Sequence, residues 1–404
     1  MGMKTVVIGA GQAAIAFAAK LRELDGDAEI TLIGDEPSLP YQRPPLSKKY
    51  MTGEMSADRL LLRPAEWYET NRVNCLTRTA ATRIDLETSE IICSDKCVPF
   101  DKLLIATGSR PRTLPEGIGG DLPGVYTLRH LADADQIATE ITEGRKAVII
   151  GGGYIGLEAA AVFATKGLAV EVIEMADRIL KRVASPDTAA YVKAKHEANG
   201  VTIREQTAIK ILVEFDGRFA GVELEDTTLV NADFCVVGIG VLPNVELAAG
   251  AGIACENGIL VDNTTRTSHA DIHAAGDVAN FEFRDARCRL ESVQNAIDQA
   301  ETAARAIAEE EVDYRPVPWF WSDQYDLKLQ IAGLNSGYDQ TVVRPGTRDG
   351  TQSVWYFREG KFLAVDALND PRAYMFGKKI LELGRDIAPG QAADASFDLK
   401  ALVS

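Results

Sequence analysis

The first hydrophobic feature is a short β-branched run, Lys4 to Ile8, which stops at Gly9-Ala10-Gly11-Gln12-Ala13-Ala14. An alanine-rich stretch with helical spacing follows to about Leu24. A second apolar run, Glu29 to Ile33, then ends in Gly34-Asp35-Glu36. Strand, glycine turn, helix, strand, acid is the order of a nucleotide-binding βαβ unit. The order returns 142 residues later. Lys146 to Ile150 predicts a strand, Gly151-Gly152-Gly153-Tyr154-Ile155-Gly156 a turn, Leu157 to Lys166 a helix, and Ala169 to Ile173 a strand closed by Glu174. One copy of such a turn is a weak signal, but two in the same context predict a fold used twice, once per dinucleotide.

Further apolar runs predict strands at Phe100 to Ala106, Phe234 to Gly240, Gly258 to Val261 and Ile272 to Ala275, the last running into Gly276-Asp277. Val293 to Glu310 has small or apolar residues at Val293, Ala296, Ile297, Ala300, Ala304 and Ile307, the spacing of a helix. The character changes at Pro316-Val317-Pro318-Trp319. Aromatics cluster at Trp319, Phe320, Trp321 and Tyr325, alternating strands follow at Leu327 to Ala332, Gln340 to Val343, Ser353 to Phe357 and Phe362 to Ala367, and Ala373 to Leu383 reads as a helix. The expected architecture is α/β: two Rossmann-like dinucleotide-binding domains plus a C-terminal α+β domain. The expected divisions are 1–110 with 245–318, 111–244, and 319–404.

Composition narrows the function. The chain has 404 residues, enough for two or three domains. Its formal charge is −16, of which −15 lies before Trp319. That balance argues against nucleic acid and anionic membranes, which need local cations. No apolar stretch approaches about 18 residues, so no membrane span is expected. Met1 to Leu21 fits a first strand and turn better than a signal peptide. Cys75, Cys93, Cys97, Cys235, Cys255 and Cys288 form no Cys-x-x-Cys and no zinc pattern. No metal is expected, and sparse thiols read as a reduced, cytoplasmic chain. His130, His196, His269 and His273 read as structural or surface residues.

Each motif has a physical use. A helix N-terminus offers unpaired N–H groups and partial positive charge, and so holds a pyrophosphate. Gly9 and Gly11 permit close approach, and Ala14 is small enough for the helix to pack on the strand. Glu36 or Asp35 can bond ribose hydroxyls. Glu174, 18 residues after Gly156, stands where an adenosine ribose would bind, and its charge favours NADH over NADPH, although Arg178, Lys181 and Arg182 follow closely. Gly276-Asp277 is either an ordinary Asp turn or an acceptor for a polyhydroxyl chain. Ser292 is a candidate N-cap, at a helix end that could also face a developing anion. Lys48, behind the rigid Arg43-Pro44-Pro45-Leu46-Ser47 run, and Glu158 read as a charge pair from the two repeated units, or as two solvated charges.

Together these pieces, with Tyr41 to Lys48, Ala106-Thr107-Gly108, Gly238 to Asn244, Ala275 to Val278, Glu291 to Ala296 and Pro318 to Gln324, make a resemblance. Over nearly its whole length the chain resembles the FAD-dependent NADH:ferredoxin reductases of bacterial oxygenase systems, on the glutathione-reductase-type flavoprotein fold. The resemblance implies that Gly9, Gly11, Ala13, Glu36, Arg43, Lys48, Ala106, Arg129, Asp277 and Val293 line FAD. It implies that Gly153, Tyr154, Ile155, Glu158, Glu174, Arg182 and Gly240 line NAD. Lys48 would lie beside flavin N5, paired with Glu158, and Trp321 near the ring on the ferredoxin side. Disulfide reductases of this fold carry cysteine after the first ribose-binding strand, but here no cysteine precedes Cys75. Electrons are therefore expected to leave the flavin directly, for a small acidic [2Fe–2S] ferredoxin held transiently, which supplies a P450 or a ring-hydroxylating dioxygenase. Lys328, Arg344, Arg348, Lys378, Lys379 and Arg305 are candidates for its landing patch. Nothing demands more than a monomer. A rubredoxin reductase or an NADH oxidase on the same frame is the alternative.

Overall fold

The computed structural model describes residues 2–403. The chain divides into two compact units. The first is Met1–Arg43, Ser56–Arg110 and Val241–Pro316; the second is Pro44–Met55, Pro111–Gly240 and Val317–Ser404.

The first unit is built on a parallel five-stranded sheet, in the order Ile272–Ala274, Lys102–Ile105, Lys4–Ile8, Glu29–Ile33, Val73–Leu76. Both faces are covered, so its strands are nearly continuous runs of Val, Ile and Leu. The two-residue period sorts them: Val6 and Ile8 enter a core with Ile91, Phe100 and Phe281, while Val7 enters the opposite one with Leu32 and Leu104. Over that second face lie the helices Gln12–Leu24 and Val293–Ile307. Their buried faces are mainly alanine (Ala14, Ala18, Ala300, Ala303, Ala304), which lets the backbones approach closely. Ser292 caps the second helix as expected, its hydroxyl accepting the Asn295 N–H at 3.2 Å. That helix ends at Ile307, short of the expected Glu310.

The second unit repeats the parallel design, with strands Thr202–Arg204, Ala169–Ile173, Lys146–Ile150, Phe234–Val237 and Val125–Tyr126 in that order. Its glycine-turn helix is Tyr154–Thr165, beginning three residues before the expected Leu157. Gly156 therefore lies inside the first turn, where a Cβ would stand 2.3 Å from the Gly151 carbonyl oxygen. The C-terminal segment forms an antiparallel sheet in the order Trp319–Gln324, Leu327–Gly333, Lys361–Leu368, Gln352–Arg358, Gln340–Pro345. Trp319–Gln324, legible in the sequence only as an aromatic cluster, is one of its two edge strands. One face of this sheet (Leu329, Val354, Tyr356, Leu368) shares a core with Leu157, Ile179 and Val192. The other (Trp355, Val365, Ala367) packs under the helix Pro371–Glu382.

A polar group sits in that shared core. Asp366 is fully buried, and one of its oxygens accepts from the hydroxyls of Tyr356 and Thr188, the latter at 2.8 Å. Its other oxygen has no partner. Burial pushes the carboxyl up to about 6 from 3.8, against the pull of those two hydroxyls. The folded chain thus holds this proton more tightly than the unfolded chain does. Stability from this group is complete below the unfolded value and is lost as pH rises through about 6. Asp366→Asn, which cannot ionise, is predicted to abolish that loss and to stabilise the chain near pH 8 by up to about 3 kcal/mol. Urea unfolding between about pH 3 and pH 8, a span that brackets both values, checks this, and an unchanged pH dependence in the variant would refute it.

Candidate functional site

In the first unit the strand Lys4–Ile8 ends at Gly9, whose φ is +129° and whose Cβ would stand 2.2 Å from the Ala106 carbonyl oxygen. Only glycine fits this close approach of two sheet ends. Gly11 is the N-cap of Gln12–Leu24 and no side chain caps that end. The space where its Cβ would point is open to 4 Å. The N–H groups of the first turn are thus left for an anion. Beyond the second strand, Glu36 accepts from the Tyr41 hydroxyl at 2.5 Å and from Arg43 at 2.8 Å. Asp277 follows the strand Ile272–Ala274 and accepts the Ser109 hydroxyl at 2.8 Å. At Gly276, φ +80°, a Cβ would lie 3.6 Å from that of Ala13 and 3.5 Å from that of Ala296. The Asp277 turn therefore meets the starts of both helices. Gly9, Gly11, Ala13, Ala106, Asp277 and Val293 gather in this unit with Glu36 and Arg43, whereas Lys48 and Arg129 belong to the second. A pyrophosphate at an uncapped helix end, and hydroxyls at Glu36 and Asp277, are what this cradle is shaped to take.

The second cradle has the same plan. Gly151, φ +106°, would place a Cβ 2.4 Å from the Gly238 carbonyl oxygen. Gly153 is the uncapped N-cap of Tyr154–Thr165. Glu174 accepts the N–H groups of Gly152 at 2.8 Å and Ala176 at 2.7 Å, which fixes an anion at the strand end. Ile155 is 41% exposed on the first turn of the helix. The Arg182 guanidinium lies against Gly240, whose Cβ would be 3.0 Å from it. Tyr154 packs on Phe320, ring centroids 4.9 Å apart. Its buried hydroxyl has no partner, and burial, then the nearby Asp366, Tyr356 and Glu158, push the phenol well above its ordinary value.

One turn further along this helix is Glu158, 5% exposed. Its Oε2 accepts from Lys48 Nζ at 2.5 Å and from the Ser47 hydroxyl at 2.7 Å, and its Oε1 from the Ser322 hydroxyl at 2.7 Å. The expected charge pair forms. Ser47 and Ser322 were not legible as part of it, because an uncharged hydroxyl leaves no mark in a charge pattern; their only signal is adjacency to Lys48 and Trp321. Trp321 lies on the opposite face of its strand from Ser322, tilted against Trp319 at 5.7 Å.

The landing-patch expectation needs one correction. Arg344 is buried and donates to the carbonyls of Gln391, Ala392, Asp394, Ala395 and Phe397. It fastens the C-terminal segment and has no charge to offer a partner. Lys328, Arg348 and Lys379 are exposed, Lys378 lies over the Trp319 ring at 5.0 Å, and Arg305 is on the open side of its helix. His196 and His273 are buried, as structural residues should be.

Residues 3–300 match the model for pyridine nucleotide-disulphide oxidoreductases, and residues 319–403 the one described as reductase C-terminal. The chain belongs to the pyridine nucleotide-disulphide oxidoreductase family. Within this family it is 42% identical to rhodocoxin reductase of Rhodococcus erythropolis, over 100% of this chain and 95% of that protein. Two solved structures share its fold at a TM-score of 0.96. One is the covalent putidaredoxin reductase–putidaredoxin complex, 35% identical over 99% of this chain and 98% of that one. The other is the ferredoxin reductase for the CYP199A2 system of Rhodopseudomonas palustris, 37% identical over 100% of both chains. FAD and NAD(P)H, the cofactors of such an oxidoreductase, correspond in number and kind to the two cradles. The disulphide half of the family name finds no counterpart: all six cysteines are free, and none lies in Arg43 to Lys48.

Gly11→Ala tests the first cradle. Its φ of −114° suits any L residue and its Cβ meets nothing, so the variant should fold with an unchanged far-UV circular dichroism spectrum. It should nonetheless lose FAD, read as a fall of at least about tenfold in flavin absorbance per chain, because the methyl takes the phosphate's space. A fully yellow variant would refute the assignment.

Proposed function

We propose that this chain takes reducing equivalents from NADH through FAD and delivers them to a [2Fe–2S] ferredoxin that supplies a P450 or a ring-hydroxylating oxygenase. The observation that carries the reading is a cysteine-free charge centre, Lys48–Glu158, in a chain matched end to end by ferredoxin reductases. FAD supplies the one chemistry the side chains lack: it accepts a hydride and gives up electrons singly. The rest falls to the chain itself. The uncapped ends of Gln12–Leu24 and Tyr154–Thr165 bind pyrophosphates, and Glu36 and Asp277 orient hydroxyls. Glu174, already held by two N–H groups, accepts a ribose diol and repels a 2′-phosphate, which favours NADH. Lys48 would supply a cation to bound FAD and Glu158 keeps that ammonium in place, while Tyr154, Ile155, Arg182 and Gly240 would line the nicotinamide dinucleotide and Arg129 the flavin. Trp321 presents an aromatic face toward the ferredoxin.

Regions 1–110 with 245–318, 111–244 and 319–404 are the proposed FAD, NAD and C-terminal domains. We assign the chain to the cytoplasm on the strength of its free thiols, and take it to act as a monomer. Among the described residues, no helix is long and apolar enough to cross a membrane. Docking answers to local potential, so the near-neutral last domain, with Lys328, Arg348, Lys378 and Lys379, suits an acidic ferredoxin despite the net −16.

Steady-state turnover tests the reading. NADH-dependent reduction of cytochrome c should require an added [2Fe–2S] ferredoxin, weaken with rising salt, and run at least about tenfold slower in kcat/KM with NADPH. Equal NADH consumption in air without ferredoxin would replace it with an oxidase.

A further inference from the structure

The edge strand Trp319–Gln324 has two faces. Trp319 and Trp321 occupy one, and Phe320, Ser322 and Gln324 the other. The second face is read residue by residue by two helices of the same unit. Phe320 stacks on Tyr154, Ser322 bonds Glu158, and Gln324 bonds His196 on the helix Pro186–Ala198.

The hydrogen bonds on that face run in one direction. Gln324 Nε2 donates to Ser322 Oγ at 3.1 Å, so the serine's own proton is free for Glu158 Oε1. Gln324 Oε1 is then an acceptor, and His196 Nε2, 2.7 Å away, must carry the proton. Burial lowers the His196 pKa, against the pull of Gln324, which keeps the ring neutral. Its Nδ1 faces the Tyr325 hydroxyl at 3.3 Å. Ser322, Gln324 and His196 are all at most 1% exposed. A chain of aligned donors in a dry interior strengthens its last bond, and here that bond ends on a carboxylate.

We propose that Ser322 is a positioning residue: its hydroxyl, set by Gln324 and His196, fixes the Glu158 carboxylate and through it Lys48. The strand that carries Trp321 is thereby tied to the charge centre by the next residue along. This rests on the electron-transfer reading above and deepens it. Without the hydroxyl, Oε1 of a buried carboxylate has no donor, and Glu158 turns to recover one at the expense of its bond to Lys48.

The test uses the FAD-loaded protein with Ser322→Ala and Ser322→Cys, the latter keeping the size with only a weak donor. The limiting rate of anaerobic flavin reduction at saturating NADH should fall on the order of tenfold in both. The dissociation constant for NADH should stay within about twofold, since no binding group is removed. The flavin midpoint potential, read by dye equilibration without NADH, should become more negative as Lys48 loosens. In a Glu158→Gln background the same substitutions should have a much smaller effect on rate and potential, because the contact they remove is already altered. Wild-type rates and potentials in Ser322→Ala and Ser322→Cys would overturn the proposal, as would an equal effect in the Glu158→Gln background. If NADH fails to reduce the unmodified protein, the electron-transfer reading falls, and the potential measurement still judges Ser322.

Discussion

Two close contacts between strand ends, Gly9 with Ala106 and Gly151 with Gly238, make everything else in this molecule possible. At each, a parallel strand must turn straight into a helix beside a neighbouring backbone. That geometry removes the room for a side chain, and it delivers a helix start with no cap. An uncapped helix end inside a fold leaves unpaired N–H groups that a bound anion satisfies. Glu36 and Glu174 extend the same logic, each placed just past the strand after its helix.

The charge centre obeys a different constraint. A carboxylate as buried as Glu158 is costly unless its oxygens are occupied. Here an ammonium and two hydroxyls occupy them, reaching the glycine-turn helix from two other parts of the same unit: the segment before Tyr50 and the C-terminal sheet. The cost of burial becomes a reason for those parts to stay in register. Asp366 shows the contrasting case: one of its oxygens stays unpaired, and burial makes its proton hard to remove.

Much of this was legible in the sequence because repetition and spacing carry it. Two glycine turns with acids at matching places gave both cradles, and the change of character at Pro316 marked the start of the C-terminal sheet. What was hidden was hidden for physical reasons. Trp319-Phe320-Trp321 contains no polar residue, so its two-residue period is invisible, although its two faces do different work. Arg344 reads as an available charge because sequence does not show five carbonyls closing around a guanidinium. Ser47 and Ser322 are neutral, and only the fold brings them to Glu158. The start of the Tyr154 helix was missed because glycine and β-branched residues at its head disguise helical propensity.

The sharing of one core between the Leu157 helix and the last sheet has a consequence for the order of assembly. The first unit needs nothing beyond Pro316, so its nucleotide cradle can close while the ribosome is still translating. The second unit needs strands that end at Leu368, so Leu157, Ile179 and Val192 must wait, uncovered, until those strands have been made. That interval of nascent-chain exposure makes the second unit the natural client for a chaperone, and synthesis of the Lys361–Leu368 strand the event that lets it close.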